Sequence, residues 1–189
     1  MRGMVTDGSA WFKNSRVWAM MPALLLFGSS VSCAPAQTVL GADAVLQRFE
    51  GRWRTHVTIK SVKMTPHVIE ATGVGVGLVT LGGQYLEYRA KTDAMPGYPV
   101  DEDLQVSTWD AVNKVYRHWV FDSEGNRFER TGTWDEAHHT LTWRANELGC
   151  ELVIHDRFVS ADRIEWDLVR RDPAGKIRMR IDAWMTRLP

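Results

Sequence analysis

Phe49-Glu50-Gly51-Arg52-Trp53 is where the hydrophobic rhythm of this chain changes. Upstream, Ala42, Val45, Leu46 and Phe49 fall at spacings of three and four, which predicts one short helix within Gln37 to Glu50. Downstream, Trp53, Thr55, Val57 and Ile59 alternate with Arg54, His56, Thr58 and Lys60, the period of a half-buried strand. Gly51 lets the chain turn sharply out of the helix, and Trp53 then offers a large ring to plug one end of a closed sheet.

The period of two continues to the end of the chain. Val74, Val76 and Leu78 alternate with Gly73, Gly75 and Gly77. Glycine weakens a strand unless a bend or a close neighbour needs the space, so the glycine face is expected at a barrel corner or as floor beneath a bulky ring. Leu81-Gly82-Gly83-Gln84 reads as a tight turn before a third strand. Thr92 to Asp103, with Pro96, Gly97 and Pro99, is the longest irregular segment and a candidate lid or portal. Turn signals then recur at Asp110 to Lys114, Asp122 to Asn126, Asp135 to His139, Ala145 to Gly149, Ser160 to Asp162 and Asp172 to Lys176. Short strands at even spacing predict an all-β fold: a closed antiparallel up-and-down barrel of about nine or ten strands with a short N-terminal helix, a sandwich being the alternative.

Ahead of the barrel, Arg2, Lys13 and Arg16 precede the apolar run Val17 to Phe27, the order of a secretory signal. The run is too short for an ordinary membrane-spanning helix. Ala34-Pro35-Ala36 offers a small-x-small cleavage site for release into the periplasm. Ser30-Val31-Ser32-Cys33 resembles a bacterial lipobox with Cys33 acylated, although Ser30 stands where a larger aliphatic residue belongs. The lipobox is the preferred reading, giving a signal over 1–33, a linker and helix over 34–48 and a barrel domain over 49–189. The expected location is the periplasm or, by lipid anchor, the outer membrane. Only Cys150 then remains to pair inside the domain, so no internal disulfide is expected and stability rests on the core.

Charge argues against nucleic acid. The chain has 23 basic and 23 acidic residues, and setting aside Arg2, Lys13, Arg16 and Asp7 leaves 20 against 22. A balance this even, without a basic run, steers toward neither nucleic acid nor an acidic membrane surface.

From Phe49 to Trp184 the chain resembles a bacterial lipocalin-like family catalogued as domain of unknown function 1579. The matching pieces are Phe49-x-Gly51-x-Trp53, Leu81-Gly82-Gly83-x-Tyr85-Leu86 and Trp119-Val120-Phe121-Asp122-Ser123-x-Gly125. Gly132-x-Trp134-Asp135-Glu136, Thr140-Leu141-Thr142-Trp143 and Asp172-Pro173-x-Gly175-Lys176 continue the match in order. The resemblance implies a calycin-type barrel and brings no established activity.

Candidate ligand-binding residues follow from strand parity. Seven tryptophans lie beyond the signal, and Trp119, Trp143 and Trp166 are candidates for an apolar pocket wall as well as for core packing. Arg130 shares parity with Phe128, Gly132 and Trp134. Inside a barrel its guanidinium requires a carboxylate from the protein or from a ligand; on the outside it is an ordinary surface arginine. A three-residue loop, Ser123-Glu124-Gly125, sets Val120 opposite Phe128 and His118 opposite Arg130, so that Tyr116, His118 and Arg130 share a face. Another loop length would turn Arg117, Trp119 and Phe121 there instead.

The histidines are scattered and suggest no metal set, and no cofactor is expected. Asp156, Glu165 and Asp167 read as a charged outer face, and no nucleophile elbow, phosphate loop or metalloprotease helix is present. The leading expectation is therefore an exported barrel that binds a small hydrophobic or amphipathic ligand and is anchored to the membrane through Cys33. A ligand-free structural lipoprotein of the cell envelope is the alternative. A barrel enzyme of isomerase or cyclase type, which needs a polar cluster converging on a cavity, comes third.

Overall fold

Ten strands, one α-helix and a short 3-10 turn at Leu81–Gly83 are the regular elements of the described part of the computed structural model, residues 42–61, 68–94 and 100–189. In chain order the helix and strands are α1 (Ala42–Gln47), β1 (Gly51–Ser61), β2 (Ile69–Thr80), β3 (Tyr85–Thr92), β4 (Asp101–Asp110) and β5 (Val115–Asp122), then β6 (Arg127–Asp135), β7 (Thr140–Glu147), β8 (Cys150–Ser160), β9 (Arg163–Arg171) and β10 (Ile177–Leu188). Each strand pairs antiparallel with its sequence neighbours, and β1 pairs with β10 from Arg52↔Leu188 to Ser61↔Met179. The sheet is a closed barrel, in which every strand has a neighbour on both sides. The expected signal segment, Cys33, the first residues of the expected helix and Pro96, Gly97 and Pro99 lie outside the described residues. β4 begins at Asp101, inside the segment expected to be irregular.

One end of the barrel is sealed by aromatic rings. Trp53 is fully buried and donates its indole N–H to the Phe49 carbonyl at 2.9 Å, fixing the chain as it leaves α1. Phe49 packs edge-on against Phe158 with ring centroids 4.9 Å apart, and Trp134 meets Phe158 at 5.8 Å. Val45 and Leu46 of α1 are buried in the same cluster. Arg187, near the end of β10, holds this closure from outside. Its guanidinium lies 4.3 Å from the Trp53 ring centroid and donates to the backbone carbonyls of Glu50, Arg48 and Ala161. The planar fork of arginine suits both tasks, stacking on a ring and satisfying orphaned carbonyls.

The face of each strand that points inward follows from burial. On β2 it is the glycine face: Gly73, Gly75 and Gly77 are buried, whereas Val74, Val76 and Leu78 are 38%, 41% and 56% exposed. A Cβ on Gly75 would collide with the Tyr88 hydroxyl and with its ring carbon Cζ. Gly75 is thus floor beneath a bulky ring, the second of the two roles expected for these glycines, while a Cβ on Gly73 or Gly77 would first meet the backbone carbonyl of Lys91 or Phe49.

At the opposite end, the β5–β6 hairpin has the three-residue loop Ser123-Glu124-Gly125. Asp122 receives backbone N–H bonds from Glu124 and Asn126 at 3.1 and 2.8 Å, and Gly125 takes φ +86°. The resulting register pairs Val120 with Phe128, His118 with Arg130 and Tyr116 with Gly132. The β6–β7 ladder runs only from Asp135↔Thr140 to Thr131↔Arg144. Beyond it the two strands part toward the open end, with Arg130 on one side and Glu147 on the other.

Candidate functional site

Inside the open half of the barrel lies a cavity of about 500 Å³. Its mouth is bordered by Val100, Asp101, Ser123 and Glu124, and it reaches down to Phe49 at the sealed end. Val57, Ile59, Phe128, Ile154, Leu168 and Ile181 supply apolar wall. A volume of this size, apolar with a few convergent polar groups, matches the about 300 to 1,000 Å³ of ordinary small-molecule sites.

Of the residues expected to bind ligand, His118, Phe128, Arg130, Trp143 and Trp166 line this cavity. Tyr116 lies in the core, 2% exposed, with its ring 4.9 Å from Trp109 and 6.3 Å from Trp143. Trp119 is a correction. It sits opposite Val106 and Glu129 on the outer face of the barrel, because the loop that turns His118 inward turns its chain neighbour outward. Grouping Trp119 with His118 combines both parities of one strand.

The polar side of the cavity is built mainly by β3, β4, β5, β7 and β8. His118 is buried and its Nδ1 lies 2.8 Å from Ser107 Oγ, with the imidazole 4.6 Å from the Trp143 ring. Burial, reinforced by the Arg130 charge, lowers its pKa to about 3, so the ring is neutral across the physiological range. Asp156 is also buried and accepts the Trp143 indole N–H at 2.7 Å. This overturns the expectation that Asp156 belongs to a charged outer face. On β8 it shares parity with the buried Leu152, Ile154 and Phe158, a signal already present in the sequence. Glu165 and Asp167 do face outward, paired with Arg157 at 2.5 Å and His155 at 3.2 Å.

Burial pushes the Asp156 carboxyl up to about 6, against the opposing Trp143 bond and Arg130 charge. Asp103 is raised to about 6 by the same cause, although Gln105 Nε2 donates to it at 2.8 Å. Tyr88 lines the same cavity, and its hydroxyl is held well above its usual pKa by burial and by the charges of Asp103 and Asp156. The hydroxyl donates to Met185 Sδ at 3.3 Å.

Arg130 finds its carboxylate within the protein. Its Nε donates to Glu147 Oε1 at 2.7 Å, and Arg170 Nη2 reaches the other oxygen of the same carboxylate at 3.2 Å. Glu147 is 4% exposed and stands across the gap where β6 and β7 part, so the ion triad ties the seam that the ladder leaves open. Sequence reasoning misses Glu147 because it falls within an expected turn, Ala145 to Gly149. The actual turn is only Leu148-Gly149, both at positive φ, and β7 therefore runs on to Glu147.

A second concavity, about 580 Å³, lies on the outer surface over β8, β9 and β10. Its charged groups satisfy one another through Arg157–Glu165, Arg163–Glu165 and Arg180–Asp182 pairs at 2.5, 3.2 and 3.0 Å. The interior cavity, whose Asp103 and Asp156 accept only neutral N–H bonds beside apolar wall, is the better candidate site.

No family model and no curated protein matches this chain. Solved structures do resemble it. The S-type phycobiliprotein lyase CPES from Guillardia theta superposes with a TM-score of 0.57 at 10% identity, covering 78% of this chain and 92% of that one. Rv2717c from M. tuberculosis gives a TM-score of 0.60 at 14% identity, covering 79% and 99%. At such identities the likeness is one of fold, and the fold is a lipocalin-like all-β barrel.

Proposed function

We propose that this protein is an exported container for a small amphipathic molecule, held in the barrel interior with its apolar body toward Phe128, Ile154 and Leu168. The observation that carries this reading is the asymmetry of the barrel. One end is packed shut by Trp53, Phe49, Trp134 and Phe158, while the other encloses about 500 Å³ bordered by both apolar and polar side chains. A barrel serving only as scaffold has no use for a buried Asp156 without an ion-pair partner, which destabilises the fold. The lyase CPES shares the architecture, and its description as a phycobiliprotein lyase is compatible with lipocalin-like barrels handling small molecules. Export, and acylation of Cys33 for anchoring in the envelope, are part of the proposal on the strength of the N-terminal sequence.

Native mass spectrometry of the protein isolated from its own envelope, with organic extraction of what it carries, tests both parts. A stoichiometric small molecule and a diacylglyceryl mass on the N-terminal peptide at Cys33 are the expected results. Protein that is empty as isolated and takes up no apolar probe refutes the container. An unmodified N-terminus at Ala34 or beyond refutes the anchor.

A further inference from the structure

The balance of charge inside the cavity identifies the polar end of its occupant. Five carboxylates border the cavity, Asp101, Asp103, Asp122, Glu124 and Asp156, against two cations, Lys91 and Arg130. Both cations already have a carboxylate partner within the protein. Lys91 is paired with Glu102 at 2.6 Å and Arg130 with Glu147 at 2.7 Å. Among the carboxylates, Asp122 is occupied by the hairpin it builds, accepting from Glu124, Asn126 backbone and Asn126 side chain. Asp101 accepts from Ser123 at the rim.

Asp103 and Asp156 are different. Each accepts one neutral N–H bond, from Gln105 and Trp143 respectively, and among the described residues neither has a cation within 4.0 Å. Both line the same cavity, Asp103 from β4 and Asp156 from β8. Asp156 is only 9% exposed, so water does little to compensate it. An anionic head group brought here meets two carboxylates, and Arg130, whose charge reaches both, already holds Glu147. A cationic one supplies the missing ion-pair partner, and its N–H groups satisfy the remaining carboxylate lone pairs.

We infer that the occupant is an amphiphile whose polar end is a protonated amine, received by Asp103 and Asp156 with its apolar part along Phe128, Ile154, Leu168 and Ile181. This rests on the container reading and reverses the simplest expectation for an interior arginine, which is capture of a carboxylate. Arg130 and Arg170 instead hold Glu147 and close the β6–β7 seam.

Three probes of equal chain length, decylamine, decanol and decanoate, titrated calorimetrically at pH 7.5 into protein freed of bound small molecules, separate the possibilities. Decylamine is expected to bind at least tenfold more tightly than decanoate, with decanol between. In the Asp103→Asn, Asp156→Asn double variant, decylamine affinity falls at least tenfold while decanol affinity changes less than twofold. Both asparagines can still accept from Gln105 and Trp143 through their amide oxygen, so the internal bonds are retained. Decanoate binding as tightly as decylamine, or a double variant that keeps its amine affinity, overturns the inference. If decanol binds and the amine has no advantage, the container stands and the amine assignment fails; if none of the three binds, both fail. The three-probe comparison on the unaltered protein needs no variant to fold.

Discussion

Asp156→Asn gives a direct measure of how much stability the cavity gives up to keep a carboxylate in it. The carboxyl of Asp156 is raised from 3.8 to about 6 by burial. Each tenfold change in a proton-binding constant is worth about 1.4 kcal/mol, so the ionised form costs the folded state on the order of 3 kcal/mol. The sign follows from proton counting. Below pH 3.8 the carboxyl is protonated in both states and costs nothing. Between 3.8 and about 6 the unfolded chain releases its proton while the folded chain retains it, so stability falls as pH rises, and above 6 the full cost is present. His118 works in the opposite direction: held neutral with a pKa of about 3, it contributes stability-lowering proton demand on acidification, and the fold weakens as pH falls from 6.5 toward 3. The wild-type profile alone is therefore blurred by two opposing titrations. Arg130 on β6, the outward His155 and Asp167, and the neighbouring Tyr88, Asp103 and His118 are common to both proteins. The difference between variant and wild type isolates Asp156. Urea unfolding followed by tryptophan fluorescence at half-unit steps from about pH 3.5 to 7.5 is expected to show the variant gaining about 3 kcal/mol on wild type across that window, with most of the change between about 4 and 6. A difference constant to within about 0.5 kcal/mol, the size of an ordinary surface effect, would refute the claim that Asp156 is buried without an ion-pair partner.

Two further substitutions test the floor and the seam. Gly75→Ala drives a methyl into the Tyr88 hydroxyl and should cost about 1 to 3 kcal/mol by overpacking, a cost that a Tyr88→Ala background removes in a double-mutant cycle of urea midpoints. Glu147→Gln leaves Arg130 and Arg170 without their shared carboxylate, so a loss of about 3 to 5 kcal/mol is expected, together with measurable decanoate binding as Arg130 becomes free to accept a ligand carboxylate.

Strand parity is readable wherever one face is clearly apolar. The Ser123-Glu124-Gly125 loop sets the β5–β6 register, and with it the inward placement of His118, Phe128 and Arg130. Parity alone does not say which face is inside, and Trp119 is misplaced for that reason. Turn length is the other weak point. Extra residues assigned to the Leu148-Gly149 turn hide Glu147, the partner that Arg130 requires. Arg187 is hidden for a different reason: a long-range contact onto Trp53 leaves no periodic trace in the sequence.

The places where alternation runs backward are the places where the cavity is. On β4 the apolar Leu104 and Val106 lie on the outer face, while Asp103, Gln105 and Ser107 line the cavity. On β2 the valines are outside and the glycines inside, making room for the Tyr88 ring, whose hydroxyl donates to Met185 Sδ. A barrel optimised for stability would turn the valines inward and fill the space. Here β2 and β4, the two strands flanking β3, do the reverse, while β3 between them keeps Leu86, Tyr88 and Ala90 inward. Two such inversions bordering one enclosed volume are hard to explain by packing and simple to explain by an occupant with a polar end. The inverted stripe on its own is ambiguous from sequence, since an outward valine and an inward valine are the same letter. It becomes a functional signal only when the closed topology shows that the polar members of separate strands meet around one cavity.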